Sequence, residues 1–325
     1  MLNHQEKFLN PVHLRNRSLL KIRSYFEGQG LDEVITPTLV RSGGIEPFVD
    51  SISVDNEYYL PTSPEISLKK LLASQPDSCP GIYEIAHAFR NDLTGNHHLR
   101  EFTMIEWYRK DLPYLNLIDD VLDIIRILSE IGKDFVEPIN YRDSQIISVS
   151  DLFEKIFSIK PGSDWGFEKY YELALSRNIV QPIAKPKSEA EELHILSEVF
   201  TLLYDFAVLD FEKTTPGLFF IKEYPFFLRG MAKLSETGWA MRVEAYLNQL
   251  ELCSGYQELD NAEELRDIWE KNNRIRFFAD KKNHPIDEDL LRSTQSMKGV
   301  SGMALGLERV LMAVYKIQDI REFTF

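Results

Sequence analysis

Between Phe89 and Arg109 the sequence FRNDLTGNHHLREFTMIEWYR reads as strand, polar loop and strand. Side chains alternate along a strand, so Arg90 and Asp92 share one face of the first arm. On the return arm Phe102, Met104, Glu106 and Tyr108 share a face, and Thr103, Ile105 and Trp107 take the other. A guanidinium beside a carboxylate, facing a second carboxylate and a phenol, suits a zwitterion together with an anion. A solvated hairpin with its charges turned to water fits this stretch equally well.

Three further groups could join that chemistry. In RVEAYLNQLELCSGYQE, from Arg242 to Glu258, a tight turn at Leu247-Asn248 would set Glu244 directly opposite Glu251. Like charges facing each other destabilise a sheet. Either water screens them at an edge, or a divalent cation such as magnesium sits between their oxygens. Glu65 opens a helix after the turn Pro61-Thr-Ser-Pro64, where the helix dipole favours a carboxylate. It is a ligand or only a first-turn helper. Near the C-terminus, Gly302 and Gly306 let a flat ligand approach the backbone, and Arg309 follows in the first turn of a helix. A planar guanidinium there can stack on a base or bind phosphate.

The elements that must position these groups follow from periodicity. Val12 to Gly30 reads as an amphipathic helix, with Leu14, Leu19, Ile22, Tyr25 and Phe26 at helical spacing. Leu31 to Pro37 reads as a short strand, EISLKKLLA as a helix and Gly81 to Phe89 as a buried strand. Residues 111–217 read as a mostly helical insertion, with helices from Ile118 to Gly132, Ser150 to Phe157 and Ala190 to Asp210. The acidic cluster Asp119, Asp120 and Asp123 reads as a solvated face. Strands return at Leu218–Tyr224 and Arg242–Glu258, then a charged helix from Ala262 to Arg276 and a glycine-rich strand turning into a helix from Gly299 to Tyr315.

The formal net charge is −14, which disfavours a broad polynucleotide-binding surface. Two distant cysteines, Cys79 and Cys253, suggest neither a disulfide framework nor a zinc site. The N-terminus lacks the apolar core of a signal peptide, and no run approaches membrane-spanning length. A cytoplasmic protein without membrane contact is expected.

Three of these segments, in this order, resemble the signature motifs of class II aminoacyl-tRNA synthetases. The helix and strand ending at Pro37 resemble motif 1, the dimer-forming element. Phe89-Arg90-Asn91-Asp92 through Glu101-Phe102 resembles motif 2, and Gly302-Met-Ala-Leu-Gly-Leu-Glu-Arg309 resembles motif 3. The lysyl branch is the nearest likeness, through Pro61-Thr-Ser-Pro-Glu65, Phe102-Thr-Met-Ile-Glu106-Trp-Tyr108 and Glu251-Leu-Cys-Ser-Gly-Tyr-Gln-Glu258-Leu. Motif 1 begins almost at the N-terminus, so no anticodon-binding domain is expected. That is similar to the short paralogues that ligate (R)-β-lysine to a lysine of elongation factor P, as are Asn283-His-Pro-Ile-Asp287 and Ala304.

The resemblance implies an α+β fold over residues 1–325, a mixed, mainly antiparallel sheet flanked by helices, acting as a homodimer. It implies ATP and Mg2+ as cofactors, with elongation factor P and lysine or β-lysine as partners and no large tRNA surface. Arg90 would bind the α-phosphate and the substrate carboxylate, and Arg309 would lie against adenine or the γ-phosphate; these two would be catalytic. Asn91, Asp92, Leu99, Glu101, Glu251, Leu252 and Gly306 would complete the ATP site, with magnesium on Glu244 and Glu251. Ser63, Pro64 and Ala304 would border the amino acid, and Glu65, Tyr108 and Glu258 its side-chain ammonium. Glu106 would take the second amino group. The loop His98-Leu-Arg-Glu101 looks more like the aspartyl and asparaginyl branch, which keeps an amide-forming, asparagine-synthesising paralogue open. A silent amino-acid sensor is the third reading.

Overall fold

The computed structural model describes residues 10–91, 94–137 and 139–323, so Asp92 lies outside the described residues. Helix α1 (Pro11–Gly28) starts on an Asn10 cap and a proline at its first turn, both suited to a helix start. Strands β1 (Asp32–Glu33), β2 (Ile52–Val54) and β3 (Tyr58–Leu60) precede α2 (Glu65–Ala73). Strands β4 (Gly81–Phe89) and β5 (Glu101–Arg109) form the expected long hairpin. Then come α3 (Leu117–Gly132), β6 (Gln145–Ser148), α4 (Val149–Phe157), α5 (Phe167–Ser176) and α6 (Glu189–Thr214). The chain continues through β7 (Phe219–Tyr224), β8 (Ala240–Leu247) and β9 (Leu250–Gln257). Helices α7 (Ala262–Phe278) and α8 (Glu288–Ser293), strand β10 (Ser301–Gly306) and helix α9 (Leu307–Tyr315) close it.

Among the described residues eight strands make one sheet in the order β1-β4-β5-β10-β9-β8-β7-β6. Only the two edge pairings, β1 with β4 and β6 with β7, are parallel. The rest is antiparallel, in line with the mixed sheet of a class II synthetase core. Among the described residues no helix is long and apolar enough to cross a membrane.

Odd-numbered residues of the central strands face one large core. Ile105 and Trp107 on β5, Cys253 on β9 and Met303 and Leu305 on β10 are buried there with α1, α3 and α9. Beyond them α4, α5 and α6 cover β7 with a second aromatic-rich cluster around Phe153, Tyr170 and Phe200. Strand β6 and helix α5, which buries Tyr170, Leu173 and Ala174, are additions to the elements expected in that interval. The segment after Leu31 pairs for only two residues, because the chain leaves the sheet edge before the proline.

One acidic residue behaves unlike the expectation. Asp120 is buried instead of solvated. Its carboxylate accepts from Tyr25 Oη at 2.5 Å, Trp107 Nε1 at 2.9 Å, and Arg109 Nη2 and Nε at 2.5 and 2.8 Å. It therefore ties α1, α3 and β5 together, a role set by tertiary contacts that helical periodicity does not reveal. Removing one partner of a buried ion pair costs about 3–5 kcal/mol because the other charge is stranded. Asp120→Ala should lose that much in urea unfolding; a loss below about 1 kcal/mol would mean that Arg109 finds water.

Candidate active site

The opposite, even-numbered face of the sheet carries the polar side chains. Gly302 pairs with Tyr108 on one side and Tyr256 on the other, and Ala304 pairs with Glu106 and Ser254. Arg242 and Glu244 lie one strand further, opposite Tyr256 and Ser254. Alternation along β5 thus puts Met104, Glu106 and Tyr108 on one floor, as the sequence indicates.

Glu251 is odd-numbered, yet it reaches the same floor. The turn falls at Asn248-Gln249, both at positive φ (52° and 64°), so Leu247 pairs with Leu250 and Tyr246 with Glu251. Beyond that pair the register shifts, Ala245 meeting Cys253, which leaves Leu252 as an extra residue on β9. Such a bulge reverses the facing of everything beyond it. It brings Glu251 to the side of Ser254 and Tyr256. The direct Glu244–Glu251 opposition expected from a turn one residue earlier does not occur; Glu244 pairs with Ser254 instead.

Two adjoining cavities lie over this floor. One is lined by Arg90, Leu99, Phe102, Glu251, Leu252, Gly306 and Arg309, with His97 and His98 at its rim. The other is lined by Ser63, Glu65, Glu106, Tyr108, Tyr256, Glu258 and Ala304. Arg90, Met104, Glu251, Ser254 and Ala304 border both. Arg90 packs over the Phe102 ring at 5.2 Å and donates to the Thr62 carbonyl at 3.4 Å, so it sits at the join. Arg309 donates to the His97 carbonyl at 3.5 Å.

Not every expected residue arrives. Pro64 precedes α2 and lines neither cavity. Asn91 is exposed and accepts from Arg100 at 2.5 Å. Glu101 is odd-numbered on β5 and turns to the other side, where it meets His87 at 2.9 Å and borders an outer groove with Arg15. Strand parity that brings Phe102 in sends Glu101 out.

The second cavity is dominated by buried charge. Lys69, one turn after Glu65 on α2, places Nζ 2.8 Å from Glu65 Oε1 and 2.6 Å from Glu258 Oε2. Burial acts against its ammonium, but Glu258 and Glu65 together hold its pKa above the ordinary value. Tyr256 donates to Glu65. Glu106 Oε1 accepts from Tyr108 Oη at 2.5 Å. Two carboxylate oxygens remain: Glu106 Oε2 and Glu258 Oε1 are buried and have no hydrogen-bond partner. Burial pushes the Glu258 carboxyl up to about 8 despite Lys69, and burial with the nearby Glu65 raises Glu106 well above its ordinary value. Unpaired buried acceptors of this kind cost free energy, and a cationic ligand would remove that cost.

Lys69 is the residue that the sequence reading passed over. Its i,i+4 spacing from Glu65 is the available signal. Gly302 is needed for close approach: a Cβ there would lie 2.4 Å from the Tyr108 ring and 2.8 Å from Glu258 Oε1.

A two-carboxylate magnesium site does not fit the geometry. Glu244 Oε1 accepts from Arg242 at 2.6 Å, and Oε2 accepts from Tyr224 and Tyr246, each at 2.6 Å. No group of three or more acidic, His or Cys ligands is present among the described residues. Of this pair, Glu251 is the carboxylate that lines the cavities. Burial and the neighbouring Glu244 push it up to about 7, with Arg309 opposing.

Gly302→Ala should close the second cavity while leaving the sheet paired. Overpacking costs about 1–3 kcal/mol, so a diamino acid should bind about 10- to 100-fold more weakly by calorimetry. Unchanged affinity would place the ligand elsewhere.

Comparison with known proteins identifies the family. A family model described as class II tRNA synthetases (D, K and N) matches residues 2–325. A curated protein of Proteus mirabilis (strain HI4320) is 31% identical over 320 residues, 93% of this chain and 91% of its own length. One from Vibrio vulnificus (strain YJ016) is 28% identical over 96% of this chain and 94% of its own length, and one from Erwinia tasmaniensis is 29% identical over 94% and 90%. All three relatives are named elongation factor P--(R)-beta-lysine ligase. The chain itself belongs to the class II tRNA synthetases of the D, K and N group.

Proposed function

We propose that this protein is a cytoplasmic, ATP-dependent ligase that activates lysine or (R)-β-lysine as an adenylate and passes it to a lysine of elongation factor P. The observation that carries this is the pair of unpartnered, buried carboxylate oxygens on Glu106 and Glu258 in one cavity. A diamino acid brings two ammonium groups, one for each. The name shared by relatives aligned over nearly their whole length supports the acceptor.

In this reading Arg90, at the join of the cavities, binds the amino acid carboxylate and the α-phosphate of ATP together. Two anions are thereby held in reacting distance, so catalysis is positioning and charge stabilisation. The carboxylate oxygen attacks the α-phosphorus and pyrophosphate leaves. Arg309 lies on the nucleotide. The triphosphate carries its own magnesium as MgATP, and Glu251 is the carboxylate that it would meet. Lys69 offsets part of the charge of Glu65 and Glu258, so a second cation is still needed. A homodimer belongs to the same proposal: Leu20 on α1, and Ile35 and Leu39 after β1, are exposed apolar side chains, and two chains are expected in sedimentation velocity.

Amino-acid-dependent exchange of pyrophosphate into ATP, followed by the mass of elongation factor P, tests the proposal. Lysine and β-lysine should support exchange, and the factor should gain one lysyl mass. Aspartate-dependent exchange, or transfer to tRNA alone, would overturn it. The pH dependence has a definite sign. Glu258 must ionise to accept an ammonium, and its pKa stands at about 8 in the empty site. Glu106 is raised as well, so binding releases at least one proton, and substrate affinity should rise at least about tenfold per pH unit from 6 to 8, then flatten. A flat profile would contradict the carboxylate assignment.

A further inference from the structure

Glu46 is a carboxylate that the adenylation step leaves unused. It lies in the loop between β1 and β2, and that loop is fixed. The buried Arg276 of α7 donates to the carbonyls of Pro47 and Val49, each at 3.1 Å, and to Asp50 Oδ1 at 2.8 Å. Asn272 donates to the Ile45 carbonyl at 3.2 Å, and Ile45 is buried beside Trp269. The Glu46 side chain, by contrast, makes no hydrogen bond or ion pair with the described residues. Burial raises its pKa, with Arg242 opposing.

Its place is specific. A third cavity, a side cleft, runs between α6, α7 and the turn after β7, and its walls include Leu193, Phe226, Phe227, Leu228, Ile268 and Ile275. Glu46 and Arg242 border both this cleft and the cavity holding Glu106 and Glu258. Arg242 is committed to Glu244 at 2.6 Å and to the Leu228 carbonyl at 2.8 Å. Of the basic groups of the cleft wall, Lys271 pairs with Glu189 at 3.2 Å and Arg229 pairs through Nη1 with Glu264 at 2.5 Å, its Nη2 being buried without a partner. An apolar cleft that ends at an unpaired carboxylate matches an aliphatic stem that ends in an ammonium.

Resting on the ligase reading above, we propose that the side cleft admits the acceptor lysine and that Glu46 binds its ammonium and takes its proton. An ammonium has no lone pair, so this proton must leave before transfer. Glu65, Glu106 and Glu258 are engaged by the first substrate and Lys69, and Glu244 by Arg242 and the tyrosines. The neutral amine nitrogen then adds to the adenylate carbonyl carbon. The bond from that carbon to the phosphate oxygen breaks, and AMP leaves with the electron pair. The remaining surplus proton passes from nitrogen to AMP or water, which leaves a neutral amide.

The test separates the two half-reactions in the full chain. Glu46→Gln should keep lysine-dependent pyrophosphate exchange within about threefold of wild type, which also reports its folding. Single-turnover transfer from preformed adenylate to elongation factor P should fall at least about a hundredfold, within the range of lost acid–base help. Hydroxylamine, an uncharged nucleophile, should trap the adenylate at the wild-type rate, and Glu46→Asp should regain part of the transfer. Wild-type transfer by Glu46→Gln would overturn the proposal. So would an equal fall in exchange and transfer, which would assign Glu46 to adenylation. If the wild-type protein shows no lysine-dependent exchange, the ligase reading itself fails.

Discussion

Glu106, Glu258 and Lys69 are buried together at the second cavity with the half-buried Glu65 beside them, and the rest of the site is arranged around that charge. Glu106 and Glu258 do not ionise there freely, since burial raises both carboxyls and desolvation of a lone carboxylate costs several kcal/mol, on the order of the whole stability of a domain. Lys69 offsets part of it through its two short contacts. What remains is a deficit of positive charge with defined lone pairs. A site left under-compensated in this way stores a preference for a cation, because the ligand supplies what the fold withholds.

The sheet makes this possible by giving its two faces different duties. The odd-numbered face is a close-packed core on α1, α3 and α9, anchored by the buried Asp120. That rigidity holds the even-numbered face still, and positioning is the main resource of a reaction without a covalent enzyme intermediate. The bulge at Leu252 is the point where the two duties meet. It keeps Cys253 in the core and still turns Glu251 towards the cavities. Gly302 does the same by omission, leaving room for Tyr108 and Glu258 to close on one another.

Much of this was legible in the sequence because it depends on local periodicity. Alternation on β5 placed Glu106 and Tyr108 together, and the turn before Glu65 gave the helix start at the residue expected. The motifs gave the order of the strands' functional ends. What stayed hidden depends on non-local facts. The bulge and the true turn at Asn248-Gln249 changed the partner of Glu244, and no pattern within one strand announces them. Asp120 looked solvated because its partners Tyr25, Trp107 and Arg109 come from elsewhere in the chain. Parity alone could have excluded Glu101, since it is out of step with Phe102. Glu46 had no signal at all: only the tertiary fold brings its loop against α7 and the sheet.

The central claim is that Glu106 and Glu258 each wait for one ammonium of a diamino acid. Equilibrium binding of lysine and (R)-β-lysine, beside norleucine and 6-aminohexanoate, tests it most directly, since each analogue lacks one of the two amines. Leaving a buried charged group unpaired costs about 2–5 kcal/mol, so each analogue should bind at least about 30-fold more weakly than the lysines. If either analogue binds as well as they do, one of the two carboxylates is not reading an ammonium, and the account of the site is wrong.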